Sequence, residues 1–238
     1  MGARFLNMKL SKTEAKNHKL FASQRQRMVR RQLKARGIRD KALLQAMKEV
    51  PRELFVPESL REFSYDDGPL PIGEAQTISQ PYVVALMIEA AGLTPQSRVL
   101  EIGAGSGYCV AIMSRLAESV YAVERNAALA GELTSRLAAL ECWNTKIQTG
   151  DGSAGWPEHA PYDAIIVSAV APQIADCLLQ QLKVGGRLII PVSSGPDDQR
   201  LVRVTRKDEG NFSDEELGSV QFVPLIGEEA FPPTAQPG

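Results

Sequence analysis

From residue 98 onward the chain alternates between short apolar runs and longer mixed segments. The runs at 98–102, 120–124, 164–167 and 187–192 are rich in Val, Ile and Leu, and these, with the β-prone 145–149, predict strands. The segments 106–117, 126–140 and 173–182 carry helical periodicity. Near-continuous apolar strands separated by such helices indicate a parallel sheet covered on both faces. The predicted fold is therefore α/β, a doubly wound, mostly parallel sheet. Its end differs: 201–205 alternates and 220–225 forms a second β run, with the polar segment 207–218 between them. Two strands without an intervening helix predict an antiparallel finish.

Upstream, Pro81 suits a first helical position, and Val83, Val84, Leu86, Met87 and Ile88 make an apolar helix ending near Ala91. A helix is expected from Gln24, with Met28, Val29 and Leu33 at helical spacing and Gly37 as its cap. Asp40 suits the N-cap of a second helix that carries Leu43, Leu44 and Met47 and stops before Pro51. Pro51, Pro57, Pro69, Pro71, Gly68 and Gly73 predict that 51–80 is mostly loop, with a short turn at 53–56. The expected organisation is a basic flexible extension (1–22), N-terminal helices and a loop packed on the core (23–80), the main α/β domain (81–227) and a tail (228–238).

Hydrophobic residues make up 44% of the 238 positions, which excludes global disorder. No segment reads as a membrane span or a secretory signal. Cys109, Cys142 and Cys177 are far apart and in no CxxC pair, and His18 and His159 share no ligand spacing. Neither a disulfide framework nor a metal site is expected, and a reducing cytoplasm is the simplest compartment. The net charge of -1 hides an asymmetry. Residues 1–41 carry 13 Lys/Arg against Glu14 and Asp40, a net of +11, whereas the remainder carries 14 against 26, a net of -12. A basic arm can meet an anionic surface or serve in organelle targeting, or it can be a solvated helix face. Only Phe5 and Phe21 interleave with its charges, so nucleic acid is not an expected partner. A monomer with no membrane partner is expected.

The central motif is Val99-Leu100-Glu101-Ile102-Gly103-Ala104-Gly105-Ser106-Gly107, between the first sheet strand and a helix. Its glycines allow a tight turn and close approach of a ligand. The spacing is G-x-G-x-G, with Tyr108 where a dinucleotide-binding dehydrogenase places its third glycine. The loop resembles the S-adenosyl-L-methionine-binding loop of methyltransferases, and the sheet is expected to be of that type. No Lys or Arg lies within it, which suits a cationic sulfonium better than a phosphate. Glu124 ends the second strand, where a carboxylate can accept both ribose hydroxyls. Asp151 and Gly152 follow the third strand, placed to bracket adenine. Glu101 can hold the positively charged part of the cofactor. The expected cofactor set includes Gly103, Gly105, Ser106 and Gly107. Successive strand ends thus converge on the edge where open parallel sheets bind ligands.

Other residues resemble one family. Asp66-Asp67-Gly68-Pro69-Leu70-Pro71-Ile72-Gly73 and Gln76-Thr77-Ile78-Ser79-Gln80-Pro81-Tyr82 are similar to the signature of protein-L-isoaspartate O-methyltransferases. Val50-Pro51-Arg52, Leu54-Phe55-Val56-Pro57, Gly150-Asp151-Gly152-Ser153 and Phe222-Val223-Pro224-Leu225 match too, so the resemblance runs from about Met28 to about Gly227. It implies methyl transfer from S-adenosyl-L-methionine to the free α-carboxylate of L-isoaspartyl residues in peptides and damaged proteins. It makes 66–80 the substrate loop and Ser79 the active-site serine, with Thr77 and Gln80 shaping the same cofactor and acceptor pocket. The sequence departs at Ala75, where bacterial members commonly carry glycine, and at Ser168-Ala169-Val170-Ala171-Pro172, where they carry Ala-Ala-Ala-Pro. Both departures bear on substrate range and leave open a related carboxyl methyltransferase for a dedicated peptide or small molecule. A binding protein that keeps the fold and holds nucleic acid with its basic arm is a further alternative, disfavoured by the intact cofactor motifs.

Overall fold

The computed structural model describes residues 12–195 and 198–232. Seven strands form the main sheet: β3 (Arg98–Ile102), β4 (Ser119–Glu124), β5 (Thr145–Thr149), β6 (Tyr162–Val167), β7 (Leu182–Gly195), β8 (Asp198–Asp208) and β9 (Asn211–Ser219). They lie in the order β5-β4-β3-β6-β7-β8-β9. The first five neighbours pair in parallel, and β7, β8 and β9 pair antiparallel. The doubly wound fold and the antiparallel finish are both present.

The period-two geometry of a strand divides the core. Val99, Val120, Ala164 and Ile166 face one apolar layer, while Leu100, Tyr121, Ile165 and Val167 face the other. The first layer is closed by α2 (Lys41–Glu49), α3 (Pro81–Ala91), α4 (Tyr108–Met113) and α5 (Ala127–Ala139). The second is closed by the short α6 (Asp176–Gln180), the loop around Trp156 and the chain end near Leu225. Asp40 caps α2, its Oδ1 accepting from Leu43 N at 2.9 Å.

Four expectations change. Residues 1–11 of the expected extension lie outside the described residues, but 12–22 belong to a helix, α1 (Lys12–Met28). That helix docks through Phe21, whose ring centroid is 6.5 Å from that of Tyr65, and through Arg25, which donates to Glu49 O at 2.8 Å and meets Glu53. It continues through a π turn burying Val29 and Leu33 and stops at Gly37, φ +106°. The loop 51–80 contains a hairpin, β1 (Leu70–Gly73) with β2 (Gln76–Ile78), whose pairing supplies the backbone bonds that Pro71 limits but does not abolish. The second strand of the tail is 211–219 rather than 220–225. It is an edge strand, so its outward positions are polar and hide it from an apolar-run search. Residues 220–225 cross the strand ends instead: Val170 N donates to Val223 O at 2.9 Å and Leu225 N to Val170 O at 2.8 Å. The expected helix at 173–182 shrinks to α6 because β7 begins at Leu182.

Among the described residues no helix is long and apolar enough to cross a membrane. Cys109, Cys142 and Cys177 are free thiols.

Candidate active site

β3 is the switch point of the sheet. The chain runs outward to β4 and β5 on one side and returns to β6 on the other, which opens a crevice beyond the carboxyl ends. A cleft of about 800 Å³ occupies it. It is lined by Gly103, Gly105, Glu124, Gly152 and Leu225, and by Thr77 of β2. A small chamber of about 40 Å³ adjoins it, lined by Glu101, Ser106, Ser79, Thr77 and Ser168 among others. A third cavity, about 420 Å³, opens outward between Ser79, Gln80 and Val83 on one side and 219–223 on the other.

The glycine loop needs its glycines in part for their backbone. Gly103, Gly105 and Gly107 have φ of +77°, +52° and +85°, a region other residues adopt at a cost. At Gly107 a Cβ would also press on Leu133 Cβ at 3.0 Å. Glu124 holds the loop as well as facing the cleft. Its Oε2 accepts from Gly105 N at 2.7 Å and its Oε1 from Asn126 N at 2.8 Å. Each oxygen retains a lone pair for a further donor.

Glu101 is buried at the end of β3. Its Oε1 accepts from Ser168 Oγ at 2.8 Å, and its Oε2 is buried with no partner. Burial pushes its pKa up to about 8, against the opposing influence of the Ser168 hydroxyl and the nearby Cys109 thiol, and Glu124 adds to the rise. No Lys or Arg lines the chamber. A buried carboxylate oxygen without a partner is matched by an ammonium donor, as the amino-acid end of S-adenosyl-L-methionine supplies. The residues present fit that cofactor: Glu101 for the ammonium, Gly103 and Gly105 for close approach, Glu124 for the ribose, and Gly152 against the nucleoside end.

Ser79 precedes α3. The helix N-cap is Gln80, without a side-chain capping bond, so the Ser79 hydroxyl is not spent on the helix terminus. Its backbone is fixed from beneath. Arg52, fully buried, donates from Nη2 to Ser79 O at 2.9 Å and from Nε to Ser64 O at 2.7 Å, with its guanidinium 4.9 Å from the Tyr108 ring centroid. Burial lowers the Arg52 pKa to about 10, and it remains a cation. Gln80 faces only the outer cavity and donates to Asp67 Oδ1 at 2.8 Å.

Thr77, Ser79, Glu101, Gly103, Gly105, Ser106, Glu124 and Gly152 therefore converge on connected cavities. Gly107 instead starts α4 and packs on α5, and Asp151 lies in a separate depression beside Arg125 and Glu228. Asp151 clasps the chain end: Oδ1 accepts from Ser153 N and Oδ2 from Glu228 N, both at 2.8 Å. Burial acts to raise its pKa, but those hydrogen bonds prevail and hold it below the usual carboxylate range.

The sequence reading missed Ser168, which follows β6 across the switch point, and the tail residues Val223 to Ile226, which wall the cleft. The strand-end rule applied to 164–167 would have found Ser168. Val170 is buried and lines none of the three cavities, so that departure does not narrow them. Ala75 does line the cleft, with φ +53°, beside Glu74 at φ +51°.

Comparison with known proteins agrees with this geometry. Residues 23–230 match the family model "Protein-L-isoaspartate(D-aspartate) O-methyltransferase". The chain is 53% identical over 211 residues to protein-L-isoaspartate O-methyltransferase 1 of Rhodopseudomonas palustris (strain HaA2), covering 89% of this chain and 86% of that one. It is 55% identical over 209 residues to protein-L-isoaspartate O-methyltransferase 1 of Geotalea uraniireducens (strain Rf4), covering 88% and 95%. A solved protein-L-isoaspartate O-methyltransferase superposes with TM-score 0.76 at 30% identity, covering 86% of this chain and 67% of that one. A Plasmodium falciparum structure of the same description, in complex with S-adenosyl-L-homocysteine, superposes with TM-score 0.74 at 27% identity, covering 85% and 98%.

Proposed function

The chain belongs to the protein-L-isoaspartate (D-aspartate) O-methyltransferase family, and from that premise we propose that it methylates the free α-carboxylate of L-isoaspartyl residues in peptides and damaged proteins. The product ester then closes to a succinimide without further enzymatic help, and hydrolysis returns some normal aspartyl linkage.

The observation that carries this reading is the junction at Thr77-Ile78-Ser79, where β2 ends. It faces the same small chamber as Glu101 and the glycine loop, and Thr77 and Ser79 also face the outer cavity. S-adenosyl-L-methionine, when bound, supplies an electrophilic methyl group on a positively charged sulfur. The protein's own work is positional. An acceptor carboxylate of pKa near ~4 is ionised at neutral pH and needs no strong general base. Ser79 is the residue we assign to hold it, with Thr77 alongside and Arg52 fixing the end of β2 by the Ser79 carbonyl. Alignment of this kind contributes roughly 7–11 kcal/mol in favourable cases. Segment 219–223 forms the other wall of the outer cavity, where an extended peptide fits.

The protein acts as a cytoplasmic monomer in this reading, without nucleic-acid or membrane partners. The free thiols support a reducing compartment. Part of the basic charge of 1–41 is spent internally, through Arg25 on Glu53 and through Arg36 on Asp67 and the Tyr82 ring.

A methanol-release assay with isoaspartyl and aspartyl versions of one peptide tests the proposal. Methylation of the isoaspartyl form alone is expected, and equal rates on both would remove the repair reading. Ser79→Ala is expected to lower kcat by roughly tenfold or more, the scale of one hydrogen bond to a charged group, with a smaller change in cofactor affinity by calorimetry.

A further inference from the structure

Ser168 stands where the three cavities meet. Among the described residues, only it and Thr77 line the small chamber, the long cleft and the outer cavity together. The two sit on opposite sides: Thr77 on the hairpin, Ser168 on the central sheet. Ser168 is fixed by its backbone, its N–H donating to Ile102 O at 2.8 Å, which sets it level with the start of the glycine loop. Its hydroxyl is 2.8 Å from Glu101 Oε1.

A hydroxyl carries one proton and two acceptor lone pairs. Toward an ionised Glu101 that proton is committed, because a carboxylate only accepts. What Ser168 then presents to the outer cavity is an acceptor. Such a surface attracts a peptide N–H and repels a carboxylate. An isoaspartyl residue carries both groups on the same carbon: the free α-carboxylate and the amide N–H that joins it to the preceding residue. An acceptor at Ser168 would complement a carboxylate-holding hydroxyl at Ser79, since both line the small chamber and the outer cavity.

Resting on the functional reading above, we propose that Ser168 is a specificity and positioning residue. Its oxygen accepts the backbone N–H of the isoaspartyl residue and so turns the adjacent carboxylate toward Ser79. The same hydroxyl holds Glu101 with its free oxygen toward the cofactor's ammonium. Glu101 faces Cys109 from α4, Glu124 from β4 and Ser168 from beyond β6. Of these, Ser168 favours the ionised form by its hydrogen bond, so occupancy of the cofactor end and orientation of the acceptor are linked through one proton.

The test compares wild type, Ser168→Ala and Ser168→Thr on an isoaspartyl peptide and on a depsipeptide with an ester oxygen in place of that N–H. Wild type is expected to lose roughly tenfold in kcat/KM on the depsipeptide, the scale of one hydrogen bond. Ser168→Ala is expected to be slower on the peptide and to treat the two substrates alike, and Ser168→Thr to restore discrimination. Equal discrimination in wild type and Ser168→Ala would overturn the proposal. A second arm needs no turnover: calorimetry of S-adenosyl-L-homocysteine binding across pH 6–9. Removal of the hydroxyl should shift the binding transition to higher pH, with Ser168→Thr returning it. An unmoved transition would overturn the link to Glu101. A wild type inactive on every isoaspartyl peptide would instead sink the functional reading, leaving the calorimetric arm to decide the contact.

Discussion

A single buried carboxyl sets the ionic logic of the site. Glu101 has no cation in its chamber and a pKa pushed up to about 8 by burial. A raised carboxyl pKa means the folded protein holds a proton that the unfolded chain releases, so between the ordinary carboxylate range and pH 8 stability falls as pH rises. Ligand binding reverses the preference, because an ammonium favours the ionised form. Affinity for S-adenosyl-L-homocysteine is therefore expected to rise from pH 6 to pH 8, with proton release detectable as a buffer-dependent heat in calorimetry. Glu101→Gln should raise the Tm of the unliganded protein at pH 8 and much less at pH 5, while weakening the ligand; an identical Tm difference at both pH values would contradict the assignment. Residues of this kind are readable in a sequence as acids at strand ends. Their protonation is not, since it depends on which neighbours the fold withholds.

The hairpin 70–78 is an element that composition concealed. Four prolines and two glycines across 51–80 read as loop, yet the β1–β2 pair is what brings Thr77 over the glycine loop. Its two-residue connection puts Glu74 and Ala75 both at positive φ, as a tight hairpin turn with matched twist requires. Glycine at either position would remove the steric cost. Ala75→Gly is expected to stabilise the protein by about 1 kcal/mol, which corresponds to roughly 2–4 °C in Tm for a chain of this size. An unchanged or lower Tm would show the turn to be unstrained. Asn126 Nδ2 donates to Glu74 Oε2 at 2.9 Å across the cleft, so the turn is tied to the start of α5. The core strands were legible because burial on both faces leaves an uninterrupted apolar signature. The hairpin and β9 were not, because one face of each is solvent-exposed and their ordering comes from pairing partners distant in the chain. The strand-end residues Glu101, Glu124 and Gly152 followed from topology, whereas the positions of Asp151 and Gly107 depended on how the loops turn.

Across the whole molecule, the cleft is closed by a strap from the chain's other end. Asp151 and Ser153 hold 228–229 by their backbone N–H groups, and Gly227 lies so close that a Cβ would run into both side chains. Because the clasp depresses the Asp151 pKa, its stabilising effect is present at neutral pH and is lost as pH falls through and below the usual carboxylate range. Gly227→Ala and Asp151→Asn are each expected to raise both the cofactor Kd and the peptide KM by roughly tenfold with circular dichroism unchanged, since the strap walls both cavities; an effect on neither would separate the strap from the site. The same arrangement has a biosynthetic consequence. The sheet's five parallel strands are complete by Gly195, but the wall at 219–226 and its fastening at 227–229 are the last parts of the site to leave the ribosome. A nascent chain can thus acquire its parallel core before the cleft has its wall, and the site is complete only once 219–229 has been made and fastened on Asp151 and Ser153.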